Sequence, residues 1–198
     1  MRAFLRFLSR RHLLGNGISF EALHEQARAV LDHVPYRPPR VDSRLPEIIL
    51  YVKSIPLPDP VSLWQSHVEV LRDRALILTL FSTGMRREEA SRLDRADVDD
   101  GWSSQAIIRG KGGKERVVFF SDEALVALRA YFEARNDQHP PAFIRHDRAR
   151  DTARGRGDDY RLSPLSVWKT VKKISVLADI PATTHDFRHA KATVILSE

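Results

Sequence analysis

The densest apolar stretch of the chain constrains its fold more than any other sequence feature. It covers residues 61–81 and contains three consecutive apolar residues at 76–78, followed by Leu80 and Phe81. A helix that is apolar on nearly every side is buried inside a domain. The stretch stops at Gly84, and glycine after a helical pattern is a typical end signal. We therefore expect one central buried helix with the other elements packed around it.

The rest of the chain predicts a mostly helical domain with one small hairpin. Ser121 caps one further helix, and helical patterns cover residues 3–14, 20–33, 44–55, 85–92 and 164–178. Strand patterns at 105–109 and 116–120 flank a turn with three glycines, which tolerate the positive φ of tight turns. Residues 142–144 favour a short edge strand. The expected fold class is α+β, mainly α, with a small antiparallel hairpin at one edge.

The last two helices carry more specific expectations. The helix that starts at Ser163-Pro164 has residues at helical spacing that predict its inner face, namely Leu165, Trp168, Val171, Ile174 and Ser175. At the start of the following helix, Thr184 has a side chain of the N-cap type. Asp186 would then lie in the first turn, where the helix dipole favours a carboxylate.

A basic stretch with two prolines divides the chain. Residues 36–40 read Tyr-Arg-Pro-Pro-Arg, a sequence that favours an extended linker. We expect this linker to cover residues 36–42 and the main domain to cover residues 43–198. An ordinary surface loop is the alternative interpretation.

Composition narrows the possible functions. A net charge of +6 and a pI near 9.9 describe first a solvated surface, and they are also compatible with a polyanion as the partner. The chain has no cysteine, which excludes disulfides, cysteine-ligated zinc and thiol catalysis. No stretch approaches the ~20 apolar residues of a membrane span. We therefore expect no membrane partner and a cytoplasmic location, with nucleoid association if the chain binds DNA.

Three groups of residues, far apart in sequence, have side chains suited to a phosphate. Arg86 precedes a helix, where free amide groups and a guanidinium can hold an oxyanion. Lys111 lies in the glycine turn, and His185 and Arg188 are three residues apart on one helix face. The first two groups have ordinary alternatives, namely a solvated face with an Arg86–Glu89 ion pair and a solvated hairpin tip.

In this order and at this spacing, the three groups resemble the catalytic domain of the tyrosine recombinases, the phage integrase family. That family reads approximately T-G-(L/M)-R-x-x-E, then G-K-G-x-K-x-R on a hairpin, then H-x-L-R-H at a helix start. Here the motifs lie at residues 83–89, 110–116 and 185–189. Phe187 replaces the usual leucine and keeps that position apolar. The resemblance also implies that residues 1–35 are a remnant of an upstream core-binding domain.

The resemblance implies catalytic roles for four residues. Arg86 and Arg188 would clamp the scissile phosphate, because planar guanidinium groups match phosphate oxygens and stabilise charge in the transition state. Lys111 would be the general acid that protonates the leaving 5′-oxygen. His185 would assist proton transfer at the same phosphate.

Other residues would support this site or contact the DNA backbone. Glu89 would pair with a basic residue, and His189 would be a supporting histidine. Arg87, the competing candidate for the first arginine, would face solvent or DNA. The remaining DNA-binding candidates are basic: Lys114, Arg116, Arg37, Arg40, Arg148, Arg150, Arg154, Arg156, Lys172 and Lys173.

The implied reaction breaks and rejoins double-stranded DNA at a recombination site. A tyrosine attacks a phosphodiester, and the 3′-phosphotyrosine conserves the bond energy, so no cofactor or metal is expected. In the family this tyrosine follows the helix of Arg188, whereas the tyrosines of this sequence are Tyr36, Tyr51, Tyr131 and Tyr160. We assign none of them as nucleophile. A fragment that binds DNA without cleaving it is therefore expected.

Three functional hypotheses remain from the sequence. The leading one is a fragment of a site-specific recombinase or integrase, whose full-length form would assemble as a homo-oligomer, a tetrameric synapse on DNA. The alternative is a complete, non-catalytic DNA-binding protein derived from the same fold. A basic helical protein without a DNA role is the third. A downstream tyrosine codon would favour the first hypothesis, and a stop codon at 199 the second.

Overall fold

A computed structural model describes residues 19–32, 42–98, 104–110, 113, 115–146 and 157–197. The chain divides into two compact units, residues 1–40 and 41–198. In the first unit the described element is helix α1, Phe20–Asp32. The helix predicted at residues 3–14 and nearly all of the predicted linker lie outside the described residues.

The second unit is mostly helical and has a single described hairpin. Its elements are α2 (Leu45–Ser54), α3 (Trp64–Thr83), α4 (Arg87–Arg92), a 3-10 helix (Arg95–Asp97), β1 (Gln105–Arg109), β2 (Glu115–Phe119), α5 (Asp122–Arg135), a second 3-10 helix (Gly157–Tyr160), α6 (Pro164–Leu177) and α7 (Thr184–Ser197). The strands are antiparallel, with a register that pairs Gln105 with Phe119 and Arg109 with Glu115. The predicted α+β class, mainly α, is confirmed. Among the described helices, none combines the length and apolar character that a membrane crossing requires.

Helix α3 is the centre of the second unit, as its apolar sequence predicted. Its buried residues include every position from Ala75 to Leu80, and it packs against α2, α5, α6, α7 and β2. The helix begins at Trp64, three residues later than the apolar stretch, and Val61 is 91% exposed. The reason is local, because the Asp59 carboxylate accepts hydrogen bonds from the backbone N–H groups of Val61 and Ser62 and holds a turn there.

Helix α6 buries Val171, Ile174 and Ser175 as expected, but not the rest of the predicted face. Leu165 and Trp168 are exposed, and the buried residues of α6 are Val167, Thr170, Val171, Ile174 and Ser175. Ser175 explains part of this choice. Its hydroxyl donates to the Ile180 carbonyl at 2.7 Å and accepts from the Ala182 N–H at 3.0 Å. A buried serine satisfies the loop that leads into α7, and the apolar pattern of the helix alone does not reveal this requirement.

The segment expected as an edge strand at residues 142–144 is not a strand. It forms only isolated bridges, between Asp94 and Pro141 and between Ile144 and Arg161. Its backbone donates to the Leu93 carbonyl from one side and accepts from the Leu162 N–H on the other. The segment is therefore an irregular extended stretch. It is hydrogen-bonded on one side to the residues before the first 3-10 helix and on the other side to the residues before α6.

A half-buried histidine, His146, follows this segment. The Tyr131 hydroxyl is 2.9 Å from His146 Nε2, and it also accepts from the Ile144 N–H, so we assign the tyrosine as donor to a neutral imidazole. Burial lowers the pKa of His146 to about 4, with a further contribution from Arg72 and Arg135. Burial also raises the pKa of Tyr131 to about 12. Both groups are therefore neutral at pH 7.

This histidine predicts a loss of stability in mild acid. The unfolded chain binds a proton at His146 below pH ~6.5, whereas the folded chain does so only near its lowered pKa of about 4. Stability should therefore fall as the pH drops from 7 to 5, by on the order of 2 kcal/mol. Urea unfolding at both pH values should show a smaller pH dependence for His146→Gln. His24→Gln, in α1, is the control and should behave like the original chain.

Candidate functional site

The residues that connect α3 to α4 are each held in place by a specific contact or conformation. Thr83 Oγ1 donates to the Thr79 carbonyl at 2.6 Å and accepts from the Met85 N–H at 3.2 Å. Gly84 takes the left-handed conformation, with φ of 60°, and its N–H donates to the Leu80 carbonyl. The Met85 side chain is fully buried. This anchored turn places Arg86 at the first position after α3 that faces outward.

Arg86 and Arg87 have different partners although they are adjacent. Arg86 donates from its backbone N–H to Glu89 Oε2 at 2.8 Å and from Nη1 to Glu89 Oε1 at 2.9 Å. Arg87 pairs at 2.7 Å with Glu88, and both of these side chains are about half exposed. Glu89, in contrast, is 5% exposed. Both arginines are therefore partly exposed, but Arg86 is held by a buried carboxylate and Arg87 by an exposed one.

Strand β2 brings a second arginine to the carboxylate of Glu89. Arg116 Nη2 donates to Glu89 Oε2 at 2.7 Å. The i,i+3 pair between Arg86 and Glu89 that the ordinary alternative anticipated does form. The carboxylate of that pair is nevertheless buried and shared with the hairpin, so the group is not a solvated charged face.

Helix α7 carries Arg188. Its N-terminal cap lies one residue earlier than expected. Thr183, not Thr184, is the capping residue, because its N–H and its hydroxyl both donate to Asp186 Oδ2 at 2.7 Å. Thr184 is itself buried. Phe187 is fully buried and meets Phe81 of α3 edge to face, with ring centroids 6.3 Å apart. This anchor fixes the rotation of α7 about its axis.

With α7 fixed in this way, Arg188 reaches the turn that carries Arg86. Arg188 Nη1 donates to the Gly84 carbonyl at 2.9 Å, at the negative end of the α3 dipole. The pKa of Arg188 is lowered, first by burial and then by the positive charges of Arg86 and Arg116, while Glu89 opposes the shift. Arg86, Arg116 and Arg188 therefore form one cationic cluster around Glu89, which we call the arginine cluster.

The remaining candidates are distributed unevenly. His185 is exposed and lies near Glu88, whose pKa is lowered mainly by the hydrogen bond from Arg87 and in part by His185. His189 is half-buried on α7. Outside the described residues lie Lys111, Lys114, Arg37, Arg40, Arg148, Arg150, Arg154 and Arg156.

The two lysines of α6 differ in their surroundings. Lys172 is half-buried. Lys173 Nζ donates to the buried carboxylate of Asp73 on α3 at 2.6 Å, a contact that fastens α6 to the central helix.

The sequence motifs did not single out Lys191, whose Cβ lies against Gly84. Its position three residues after Arg188, on the same face of α7, was the available signal.

This geometry agrees with the comparison to known sequences. Residues 62–198, more than half of the chain, match the phage integrase family. The chain belongs to the phage integrase family. The resemblance to the tyrosine recombinases predicted from the order of the three motifs is thereby confirmed.

Individual relatives are Xer recombinases. The tyrosine recombinase XerA of Pyrococcus horikoshii is 30% identical over 177 residues, covering 89% of this chain and 55% of that protein. Tyrosine recombinase XerD of Mycobacterium tuberculosis is 35% identical over 170 residues, covering 81% and 51%. A crystal structure of XerH site-specific recombinase bound to palindromic difH substrate, a post-cleavage complex, shares the fold, with a TM-score of 0.59 at 20% identity over 83% of this chain and 43% of that one. The chain thus spans about half the length of these relatives.

The close approach of α7 to Gly84 predicts a specific sensitivity. A Cβ at Gly84 would lie 3.3 Å from Lys191 Cβ and would force a side chain into φ of 60°. Gly84→Ala should therefore lower the free energy of unfolding by about 1–2 kcal/mol, as measured by urea denaturation. Gly113→Ala is the control, because Gly113 also has a positive φ, but no atom of the described residues lies within 4 Å of its added Cβ. Equal losses in the two variants would contradict a contribution from crowding at Gly84.

Proposed function

We propose that this chain is part of a site-specific DNA recombinase or integrase, and that the arginine cluster holds the DNA phosphate at which strands are cut and rejoined. One observation carries the proposal. Arg86 and Arg188 come from distant segments of the chain, yet both are held at the junction of α3 and α4, Arg86 by Glu89 and Arg188 by the Gly84 carbonyl. Three guanidinium groups around one carboxylate leave a net positive charge, which suits an anion.

The proposed chemistry assigns roles to the guanidinium groups and to the acid–base residues. Arg86 and Arg188 would bind the non-bridging phosphate oxygens and stabilise the added negative charge of the pentavalent transition state. Lys111 would donate its proton to the leaving 5′-oxygen, and nearby cations would lower its pKa for this task. His185 would assist proton transfer. The pairing of Arg116 with Glu89 supports this arrangement, because it holds strand β2, which follows Lys111, next to Arg86.

The bond-breaking step requires a tyrosine that these 198 residues do not supply after Arg188. Its phenolic oxygen would attack the phosphorus, the 5′-oxygen would leave with a proton, and the 3′-phosphotyrosine would later be attacked by a 5′-hydroxyl. The fold shared with XerH, a site-specific recombinase captured with its substrate after cleavage, supports this class of reaction. Duplex DNA is the proposed substrate, and we propose that the full-length protein acts as a homo-oligomer on it.

The first test of this function is salt-dependent binding to duplex DNA. The logarithm of the affinity of the chain should fall linearly with the logarithm of the salt concentration, as measured by fluorescence anisotropy. Arg188→Gln should weaken binding about tenfold and reduce the slope by about 1, because it removes one phosphate contact. Arg109→Gln is the matched control. Arg109 is an exposed arginine on β1, paired with Glu115, and its replacement should have a small effect. Affinity that does not change with salt would argue against a phosphate-binding surface.

The second test addresses cleavage. The chain and a version extended by the downstream gene sequence are incubated with a labelled library of duplexes, and covalent adducts are separated by denaturing electrophoresis. We expect an adduct with the extended version, and none with the chain of 198 residues or with an extended Arg86→Gln variant. DNA binding by the extended version without any adduct would contradict the recombinase proposal and favour the non-catalytic DNA-binding alternative.

A further inference from the structure

One carboxylate in the arginine cluster serves two arginines, and this sharing has an electrostatic consequence. The Glu89 side chain is 4% exposed, so water screens its charge poorly. It accepts from the Arg86 backbone N–H, from Arg86 Nη1 and from Arg116 Nη2, at 2.8, 2.9 and 2.7 Å. Two positive charges therefore face one negative charge within a single hydrogen-bonded group.

The orientation of Arg116 shows which way its guanidinium is turned. Nη2 is bound to Glu89, and Nε is buried and has no hydrogen-bond partner within the part of the chain that the structure describes. These two nitrogens form one edge of the guanidinium fork, and that edge faces the protein. The sequence had grouped Arg116 with residues that contact DNA. Its contacts instead direct this edge toward Glu89.

The charge balance differs sharply with and without Arg116. If Glu89 faced Arg86 alone, the pair would be neutral, and a phosphate near Arg86 would meet a carboxylate as well as a guanidinium. With Arg116 present, the three groups carry a net positive charge. Arg188, beside them, adds a further positive charge. Arg116 thus determines whether the net charge around Arg86 is zero or positive, and only a positive net charge attracts an anion.

We propose that Arg116 is a positioning residue that neutralises Glu89, so that the charge of Arg86 remains available to the DNA phosphate. This proposal rests on the proposed function, because it requires Arg86 to contact DNA. Glu89 holds the Arg86 backbone and side chain in place, and Arg116 offsets the electrostatic cost of having a carboxylate so close to a phosphate. Direct contact of Arg116 with DNA is the competing role, and the two roles give different results in one experiment.

The experiment is a double-mutant cycle in DNA affinity. The original chain, Arg116→Gln, Glu89→Gln and the double variant are titrated against the same labelled duplex at one salt concentration. Arg116→Gln should weaken binding about tenfold, because the remaining carboxylate cancels Arg86. In the Glu89→Gln background the same replacement should change affinity by less than about twofold. A direct DNA contact by Arg116 would instead cost the same factor in both backgrounds, and that result would overturn the proposal.

Two single variants test whether affinity depends on a positive charge at residue 116 or on the total positive charge of the hairpin. Arg116→Lys keeps the charge and should stay within about threefold of the original affinity. Arg109→Gln removes a charge from the same hairpin without touching Glu89, and it should not change affinity by more than about twofold. A tenfold loss with Arg109→Gln would mean that any charge on the hairpin matters equally, which would also overturn the proposal.

The same set of variants separates a loss of folding from a loss of DNA affinity. Circular dichroism at the assay temperature reports whether each variant is folded. If Arg116→Gln alone unfolds because it leaves a buried carboxylate with fewer partners, the comparison of Glu89→Gln with the double variant still decides, since equal affinities support the proposal and a tenfold difference overturns it. If the original chain does not bind duplex DNA, the proposed function fails and this inference fails with it. If the chain binds and Arg188→Gln weakens binding while the cycle is additive, only this inference fails.

Discussion

The buried carboxylate of Glu89 is the interaction on which the rest of the candidate site depends. A carboxylate that is 4% exposed must be paired, since an unpartnered buried charge costs several kcal/mol. Its pairing with Arg86 fixes the start of α4, and its pairing with Arg116 fixes β2 against that helix. One desolvated group therefore sets the relative positions of a helix and a hairpin that residues 93–104 separate in the sequence. The cost of burying this acid is offset by its ion pairs with two arginines, and these pairs hold both arginines in place.

The second constraint is the meeting of two helix ends. The C-terminus of α3 and the N-terminal part of α7 approach closely because Gly84 has no side chain and because Phe187 packs against Phe81. At this junction the last carbonyl of the α3 turn accepts a hydrogen bond from Arg188. The same turn continues into Arg86. The apolar core around α3 thus does more than stabilise the fold, because its packing sets the distance between two cationic side chains that the chain places far apart.

The basic character of the chain is used in two different ways. Part of the positive charge is internal, for example Arg135, whose fully buried guanidinium donates to Asp137 and to the carbonyls of Pro141 and Ala142. Lys173 is half exposed, yet it also pairs with a buried carboxylate, that of Asp73. Net charge therefore indicates the class of partner but does not identify the residues that meet it.

The sequence by itself determined the mostly helical class, the central position of α3, the hairpin and the family, because dense apolar runs, glycine stops and short motifs act locally. It also paired Arg86 with Glu89, since residues three apart on a helix meet. Only the tertiary structure decided that Arg116 shares Glu89, that Arg188 binds the Gly84 carbonyl and that α6 buries Val167 instead of Leu165. The α7 cap at Thr183 is different, because Thr183 and Asp186 already have the three-residue spacing of a capping box in the sequence. The other outcomes depend on which groups are desolvated together, and desolvation is a property of packed segments that no local spacing encodes.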